Sequence, residues 1–242
     1  MPHISLAAEK ILVIAGFGIT NSLFATWVVM GILFIFSYRV TRKMTLTPGY
    51  AQSIAELVIG GFYDFFASVV GHKHIKKFFP LIISFFLFII IANWFGLLPG
   101  VGTIGFFKEA GEFVPLLRGP TADLNTTLAL AIVSIVAIQY FGFKTVGKHY
   151  SSRFLNFSDP IYFFLGILEI VSEVSKIISF AFRLFGNIFA GEVLLAVMAF
   201  LIPFIVPLPF LGLEIFVGFI QALVFSMLTA VFLQVAISHG HE

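Results

Sequence analysis

The sequence predicts an all-α integral membrane protein: about five membrane helices plus an interfacial amphipathic helix, the last two membrane helices forming a long, steeply tilted hairpin. Three observations predict it. The 242 residues are 60% hydrophobic and 11% charged, against about 45–50% and about 25% in soluble domains. Charge-free stretches run over 11–38, 78–107, 124–143, 193–213 and 215–241. Each is long enough for the roughly 20 apolar residues that a membrane helix needs. The whole chain, 1–242, reads as a single membrane domain. With no cysteine, disulfides, thiolate metal sites and iron–sulfur clusters are excluded. A net charge of +2 gives no nucleic-acid footprint. No cofactor or metal is expected.

Membrane spans are placed at about 21–38, 79–98, 125–143, 160–202 and 208–238. The first is too long for a cleavable signal, and Arg39, Arg42 and Lys43 stop it like a transfer anchor. Segment 48–71 differs from the spans. Thr47 can cap it, and Pro48 suits a first helical turn. Ala51, Ile54, Val58, Phe62, Phe65 and Val69 form an apolar stripe, which predicts an amphipathic helix at the interface; a short hairpin packed on the bundle is the alternative. Loop 99–124, which carries Pro99, Gly100, Gly102, Gly105, Pro115 and Pro120, reads as an irregular connector.

Basic residues favour the cytoplasmic side. Arg39, Arg42, Lys43, Lys73, Lys76, Lys77, Lys144, Lys148 and Arg153 fall on one side. Lys10, Lys108 and Arg118 fall on the other. The N-terminus is therefore expected outside and the C-terminus inside.

The fourth span has no proline between Pro160 and Pro203, so it can form a helix of about 60 Å. The hydrocarbon core is about 30 Å thick. The span's ends are apolar, which predicts a steep tilt; a break at Gly186 or Gly191 is the alternative. Pro203, Pro207 and Pro209 turn the chain into the last span.

Glu169, Glu173, Lys176, Arg183 and Glu192 lie in the fourth span, and Glu214 lies in the fifth. An ionisable group in hydrocarbon costs at least a few kcal/mol and marks function unless a structural ion pair explains it. Arg183 has Ser179, Phe180, Gly186 and Asn187 at helical spacing, and none is acidic. Its guanidinium cannot be deprotonated in a protein. It is a fixed charge, not a proton carrier, and its carboxylate partner must come from another helix or another chain. Ser172, Ser175, Ser179, Gly186 and Ala190 lie on roughly the same face, and small residues let a helix approach closely.

Glu169 and Glu173 lie on the cytoplasmic side of Arg183. Glu192 and Glu214 flank the outer turn, Gln221 lies two turns below Glu214, and Asn93, Asp123 and Asn125 sit near outer helix ends. Two polar clusters, one per membrane side and separated by a fixed cation, block simple leakage. They still let a carrier exchange protons with each side in turn. Glu192 and Glu214 can share a proton. The alternatives are a protonated pair capping the turn and, for Asn93, Asn125 and Gln221, plain interhelical hydrogen bonding.

Arg183-Leu184-Phe185-Gly186-Asn187, followed by Ala190-Gly191-Glu192, resembles the signature of subunit a of rotary F-type ATP synthases. Pro120 through Thr127, Ser175-Lys176, Gln221-Ala222, and Asn93 with Gly96-Leu97-Leu98-Pro99 fit the same family. The resemblance covers essentially the whole chain. It implies two long, near-horizontal helices against a ring of c subunits, with b-type peripheral stalk subunits and the rest of the F1Fo complex as further partners.

It implies that Arg183 is the essential arginine facing the ring carboxylate. Asn187 and Gln221 would flank the proton path, Glu192 and Glu214 would line an outer half-channel, and Glu169 and Glu173 would stand nearer the inner route. Ion flow would turn the ring and drive ATP synthesis elsewhere in the complex, and no nucleotide motif occurs in this chain. Two positions depart from the family pattern. Ile177 stands where many members have proline, and Glu214 stands where some have histidine. A bacterial plasma membrane is the expected location. A stand-alone proton-coupled transporter is the alternative, but the chain offers it neither an evident counterion for Arg183 nor a substrate cavity.

Overall fold

The computed structural model describes residues 8–14, 17–42, 44–45, 49–107, 113–147, 150, 154, 160–202 and 205–238. Lys43, Thr47, Pro48, Lys108, Lys148, Arg153 and Pro203, used above for orientation, capping and turning, lie outside the described residues. Six long helices dominate: α1 Asn21–Thr41, α2 Tyr50–Val70, α3 His72–Gly96, α4 Leu124–Val146, α5 Pro160–Leu201 and α6 Pro207–Ser238. All six contain a stretch long and apolar enough to cross a membrane. The chain is an all-α membrane protein by class.

Two short antiparallel hairpins decorate the helices: β1 Lys10–Ile14 with β2 Phe17–Thr20, and β3 Gly105–Phe107 with β4 Phe113–Pro115. Neither was expected. The first hides at the start of an apolar run, where Ile11, Val13 and Ile14 carry the β-branched side chains that favour extended backbone. The second tightens what reads as an irregular connector.

Local chemistry sets the helix ends. The Thr20 hydroxyl accepts from the Leu23 amide at 3.3 Å and caps α1. Asp123 accepts from the Asn125 amide at 3.0 Å and caps α4. Gly71, at φ 84°, separates α2 from α3, a backbone conformation open mainly to glycine. Helix α3 therefore begins at His72 rather than near 79. Charge marks where hydrocarbon can begin, whereas Gly71 marks where the helix begins. Pro80 falls inside α3, and the Ser84 hydroxyl donates to the Pro80 carbonyl at 2.6 Å.

Helix α3 is the central post. Ile75, Phe78, Ile82 and Ile89 are fully buried along it. Helix α6 lies against it, held where the Asn93 amide donates to the Gly218 carbonyl at 2.9 Å and the Trp94 indole donates to the Ile215 carbonyl at 3.1 Å. Helix α4 joins α6 through Ser134 and Thr229, 2.9 Å apart. On another side, Ala25 and Val29 of α1 meet Ala92 and Phe95 of α3. The Ser22 hydroxyl donates to Asp123, tying α1 to the start of α4.

The expected α2 stripe is split. The face packed on the bundle carries Ala55, Phe66, Ala67 and Val70, while Ile54, Val58 and Phe65 stay exposed. Phe62 of the expected stripe also packs inward, its ring centroid 4.2 Å from that of Phe86.

Helix α5 runs unbroken through Gly186 and Gly191, so neither glycine breaks it. At 1.5 Å per residue it is about 63 Å long, and α6 is about 48 Å. Both exceed the roughly 30 Å hydrocarbon core. Only a stripe of α5 is buried, centred on Phe180, Leu184 and Ile188. Phe180 packs on Phe225 and Phe232 of α6, with ring centroids 4.9 and 5.8 Å apart.

Tyr150 is fully buried over Gly142, where a Cβ would lie 2.6 Å from its ring. Its hydroxyl donates to Gln139 at 2.8 Å. Gly142→Val is predicted to cost about 1–3 kcal/mol by overpacking. The check is a lowered thermal-unfolding midpoint in the detergent-solubilised protein; an unchanged midpoint would refute this packing.

Candidate ion-translocation site

Arg183 projects from the exposed side of α5. Its guanidinium donates to the Ser179 hydroxyl at 3.2 Å. Among the described residues no carboxylate pairs with it. Ser172, Ser175, Ser179, Gly186 and Ala190 are exposed as well. A Cβ added at Gly186 would meet nothing within 4 Å. The small-residue face is therefore open along its length, with the unneutralised cation at its middle.

Glu192 follows Arg183 by nine residues, which places it about half a helical turn round and some 13 Å along the axis. That spacing turns it inward. It borders a cavity of about 490 Å³ shared with Arg118, Asn21 and the end of α3. A Cβ at Gly119 would come within 2.7 Å of the Glu192 carboxylate. Glu214, from α6, is 5% exposed. Its carboxylate occupies the space that a Cβ on Gly191 would need. Both acids thus rest against a glycine, and no hydrogen bond joins them to each other.

Asn187 and Gln221 are brought together: the Asn187 amide donates to the Gln221 carbonyl oxygen at 2.8 Å. Asn187 lies one turn beyond Arg183 on the open face, whereas Gln221 is buried. The pair links the arginine's face to the interior of α6. Asn93 is buried beside Gly218, and its Oδ1 has no hydrogen-bond partner among the described residues.

Asp123 and Asn125 belong to a different arrangement. Asp123 is buried and engaged by Ser22, by the Asn125 amide and by the Asn125 side chain at 3.1 Å. These contacts describe a helix cap and interhelical tie.

Toward the other end of α5, Glu173 pairs with Lys176 at 2.8 Å. The Lys176 ammonium also sits 4.7 Å from the centroid of the Phe232 ring. The second oxygen of Glu173 is buried without a hydrogen-bond partner among the described residues. Glu169, one turn earlier, is partly buried. An internal ion pair therefore exists on this helix, but Arg183 is not in it.

Sequence reasoning missed the glycines under the carboxylates and the role of Arg118 as a wall of the cavity. Gly191 has a local signal, since it precedes an acid in a helix interior. Gly119 and Arg118 have none, because a loop brings them there.

Residues 23–234 match the family model described as ATP synthase A chain. The chain belongs to this family. The ATP synthase subunit a of Desulfotalea psychrophila is 36% identical over 217 residues, covering 89% of this chain and 84% of that protein. That of Geotalea uraniireducens is 36% identical over 219 residues, covering 89% and 87%. That of Syntrophobacter fumaroxidans is 34% identical over 220 residues, covering 89% and 84%. The A-chain family match takes in Arg183, Glu192, Glu214, Asn187, Gln221, Asn93, Asp123, Asn125, Glu169 and Glu173.

Gly191→Ala is predicted to displace the Glu214 carboxylate and lower coupled proton transport severalfold in membranes. Gly212→Ala, on α6 with nothing within 4 Å, is predicted to leave it unchanged. Equal activity in both variants would show that Glu214 needs no glycine beneath it.

Proposed function

We propose that this chain is the ion-translocating stator of an ATP synthase, with two half-channels separated by Arg183. Family membership carries the coarser statement: an ATP synthase a subunit, acting in proton translocation rather than nucleotide catalysis. The observation that carries the finer one is Arg183 itself. It is a permanent cation on an open, small-residue face, with no acidic partner among the described residues. A charge of that kind at membrane depth needs a carboxylate from elsewhere. A ring of c subunits, each bringing a carboxylate past Arg183, supplies one.

On this reading the outer half-channel enters through the cavity at Glu192 and passes Glu214. It reaches the ring face beside the Asn187–Gln221 bond, and the unpartnered oxygen of Asn93 offers a further water-binding group along it. The inner half-channel runs past Glu169 and Glu173. Asp123 and Asn125 hold the outer end together more than they line it. A proton arriving from outside neutralises a ring carboxylate, which can then move into lipid. After nearly a full turn it meets the inner route and ionises. Arg183 attracts the ionised carboxylate and prevents a proton from hopping straight between the two routes. Ring rotation drives ATP synthesis in the rest of the complex. The basic-residue bias supports an outer N-terminus and a cytoplasmic C-terminus in a bacterial plasma membrane. A b-type stalk would hold the chain against rotation.

The deciding experiment compares inverted vesicles carrying wild-type chain or Arg183→Ala. ATP-driven lumen acidification is predicted to vanish in the variant while the complex still assembles. Acidification equal to wild type would sink the two-half-channel reading. Gly186→Leu fills the open face and is predicted to impair acidification without lowering the amount of chain in the membrane. Normal pumping by that variant would mean that no helix passes close to Gly186.

A further inference from the structure

The cavity beside Glu192 has a wall that the family match does not reach. Glu9 borders it, whereas the match begins at residue 23. The position of Glu9 is set by backbone. Its carbonyl accepts from the Asn21 amide at 3.1 Å, at the point where α1 begins. Lys10, next in the chain, pairs with Thr20 across the β1–β2 hairpin, and its aliphatic stem lies over Gly18. The hairpin thereby folds the segment before α1 back onto the outer loop. Asn21 fixes that loop, its side-chain amide donating to the Pro115 carbonyl at 3.3 Å.

The charged groups bordering this cavity come from three separate elements. They are Glu9 from the segment before β1, Arg118 from the loop before α4, and Glu192 from α5. The end of α3 and the loop after it contribute glycine, apolar residues and Thr103, and α6 contributes Leu211. Arg118 donates to the Ala122 carbonyl at 3.2 Å, so the guanidinium is held in place. Oε2 of Glu9 is buried and has no hydrogen-bond partner among the described residues. A carboxylate oxygen withdrawn from bulk solvent without a donor is costly unless a proton or water meets it.

A cation in this cavity near Glu192 lies in the field of a fixed guanidinium, which repels it. A carboxylate bordering the same cavity offsets that field. We propose that Glu9 is a proton-relay group of the outer route, working with Arg118 as its fixed counter-charge. Hydronium in the cavity transfers a proton to the Glu9 carboxylate and leaves as water. Glu9 then passes that proton, through water in the cavity, to the Glu192 carboxylate and returns to its ionised form. This rests on the half-channel reading above and adds a residue to it.

The test uses the whole complex reconstituted in liposomes, with ATP synthesis driven by an imposed proton-motive force. The pH of the compartment facing the Glu9 end is varied at constant driving force. Glu9→Gln is expected to slow synthesis several-fold, most strongly where that compartment is alkaline and protons are scarce. Glu9→Asp is expected to recover much of the rate. A Glu9→Gln profile that superimposes on wild type, in a fully assembled complex, overturns the proposal. Arg183→Ala in the same preparation separates the two readings. If it is inactive while Glu9→Gln is normal, only the Glu9 assignment fails; if it remains coupled, the half-channel reading itself fails.

A second variant serves if Glu9→Gln does not assemble. The chain has no cysteine, so Glu9→Cys is unique within it and can be labelled from the outer side. A cationic thiol reagent is expected to slow proton flow several-fold, and an anionic reagent to slow it much less. Complete labelling with no effect of either reagent overturns the proposal.

Discussion

A guanidinium cannot be neutralised by losing its proton, and the rest of this molecule is arranged around that constraint. The other ionisable groups of the two long helices have a way out. Lys176 has Glu173 and the face of Phe232. Glu214 is packed over Gly191, and Glu192 borders a cavity shared with Arg118. A carboxyl group can also take up a proton and become neutral. Arg183 has neither remedy within the described residues. Its hydrogen bond to Ser179 satisfies one donor out of five and offsets no charge. Nothing among the described residues offsets that charge, and the proposed carboxylate from a neighbouring ring rests on this.

In the proposed mechanism a partner moves past Arg183, and this imposes demands on the scaffold. The face it would pass has to be smooth, and Ser172, Ser175, Gly186 and Ala190 are small and exposed there. The helix bearing that face must be held firmly from behind. Helix α5 meets this with a single buried stripe against α4 and α6, and α6 in turn is pinned to α3 by the Asn93 and Trp94 hydrogen bonds to its backbone. These bonds accept at Gly218 and Ile215, close to Glu214 and Gln221. The same contacts that fix the hairpin therefore also fix the acids and amides that face it.

The long elements were legible in the sequence because hydropathy and length are strong signals. Helix α5 lies where the proline-free run from Pro160 places it. The Asn187–Gln221 bond also joins residues singled out from sequence. The short hairpins were not legible, since a few extended residues inside an apolar stretch carry no separate pattern. Nor was the packed face of α2, because an almost uniformly apolar helix does not reveal which side meets protein and which meets lipid. The glycines under Glu192 and Glu214 escaped notice for another reason. Gly119 approaches Glu192 only through a loop whose path depends on tertiary structure. Asp123 shows the converse: an acid near a helix end reads equally well as a channel group or a cap, and only its contacts with Ser22 and Asn125 separate the two.

Ile177 and Glu214, which the resemblance marks as departures from the family pattern, would have different consequences. At Ile177 helix α5 continues without interruption, and with no proline there the backbone N–H remains available to the helical ladder between Lys176 and Arg183. At Glu214 the change is one of charge. A histidine can alternate between neutral and positive, but a glutamate alternates between negative and neutral. Beside Glu192, the pair of acids can carry two negative charges, one or none, so it stores protons without ever becoming positive. The other charged groups bordering that cavity among the described residues, Glu9 and Arg118, are of opposite sign and offset each other. In the proposed route, the charge of the outer group is therefore set by how many protons the Glu–Glu pair holds.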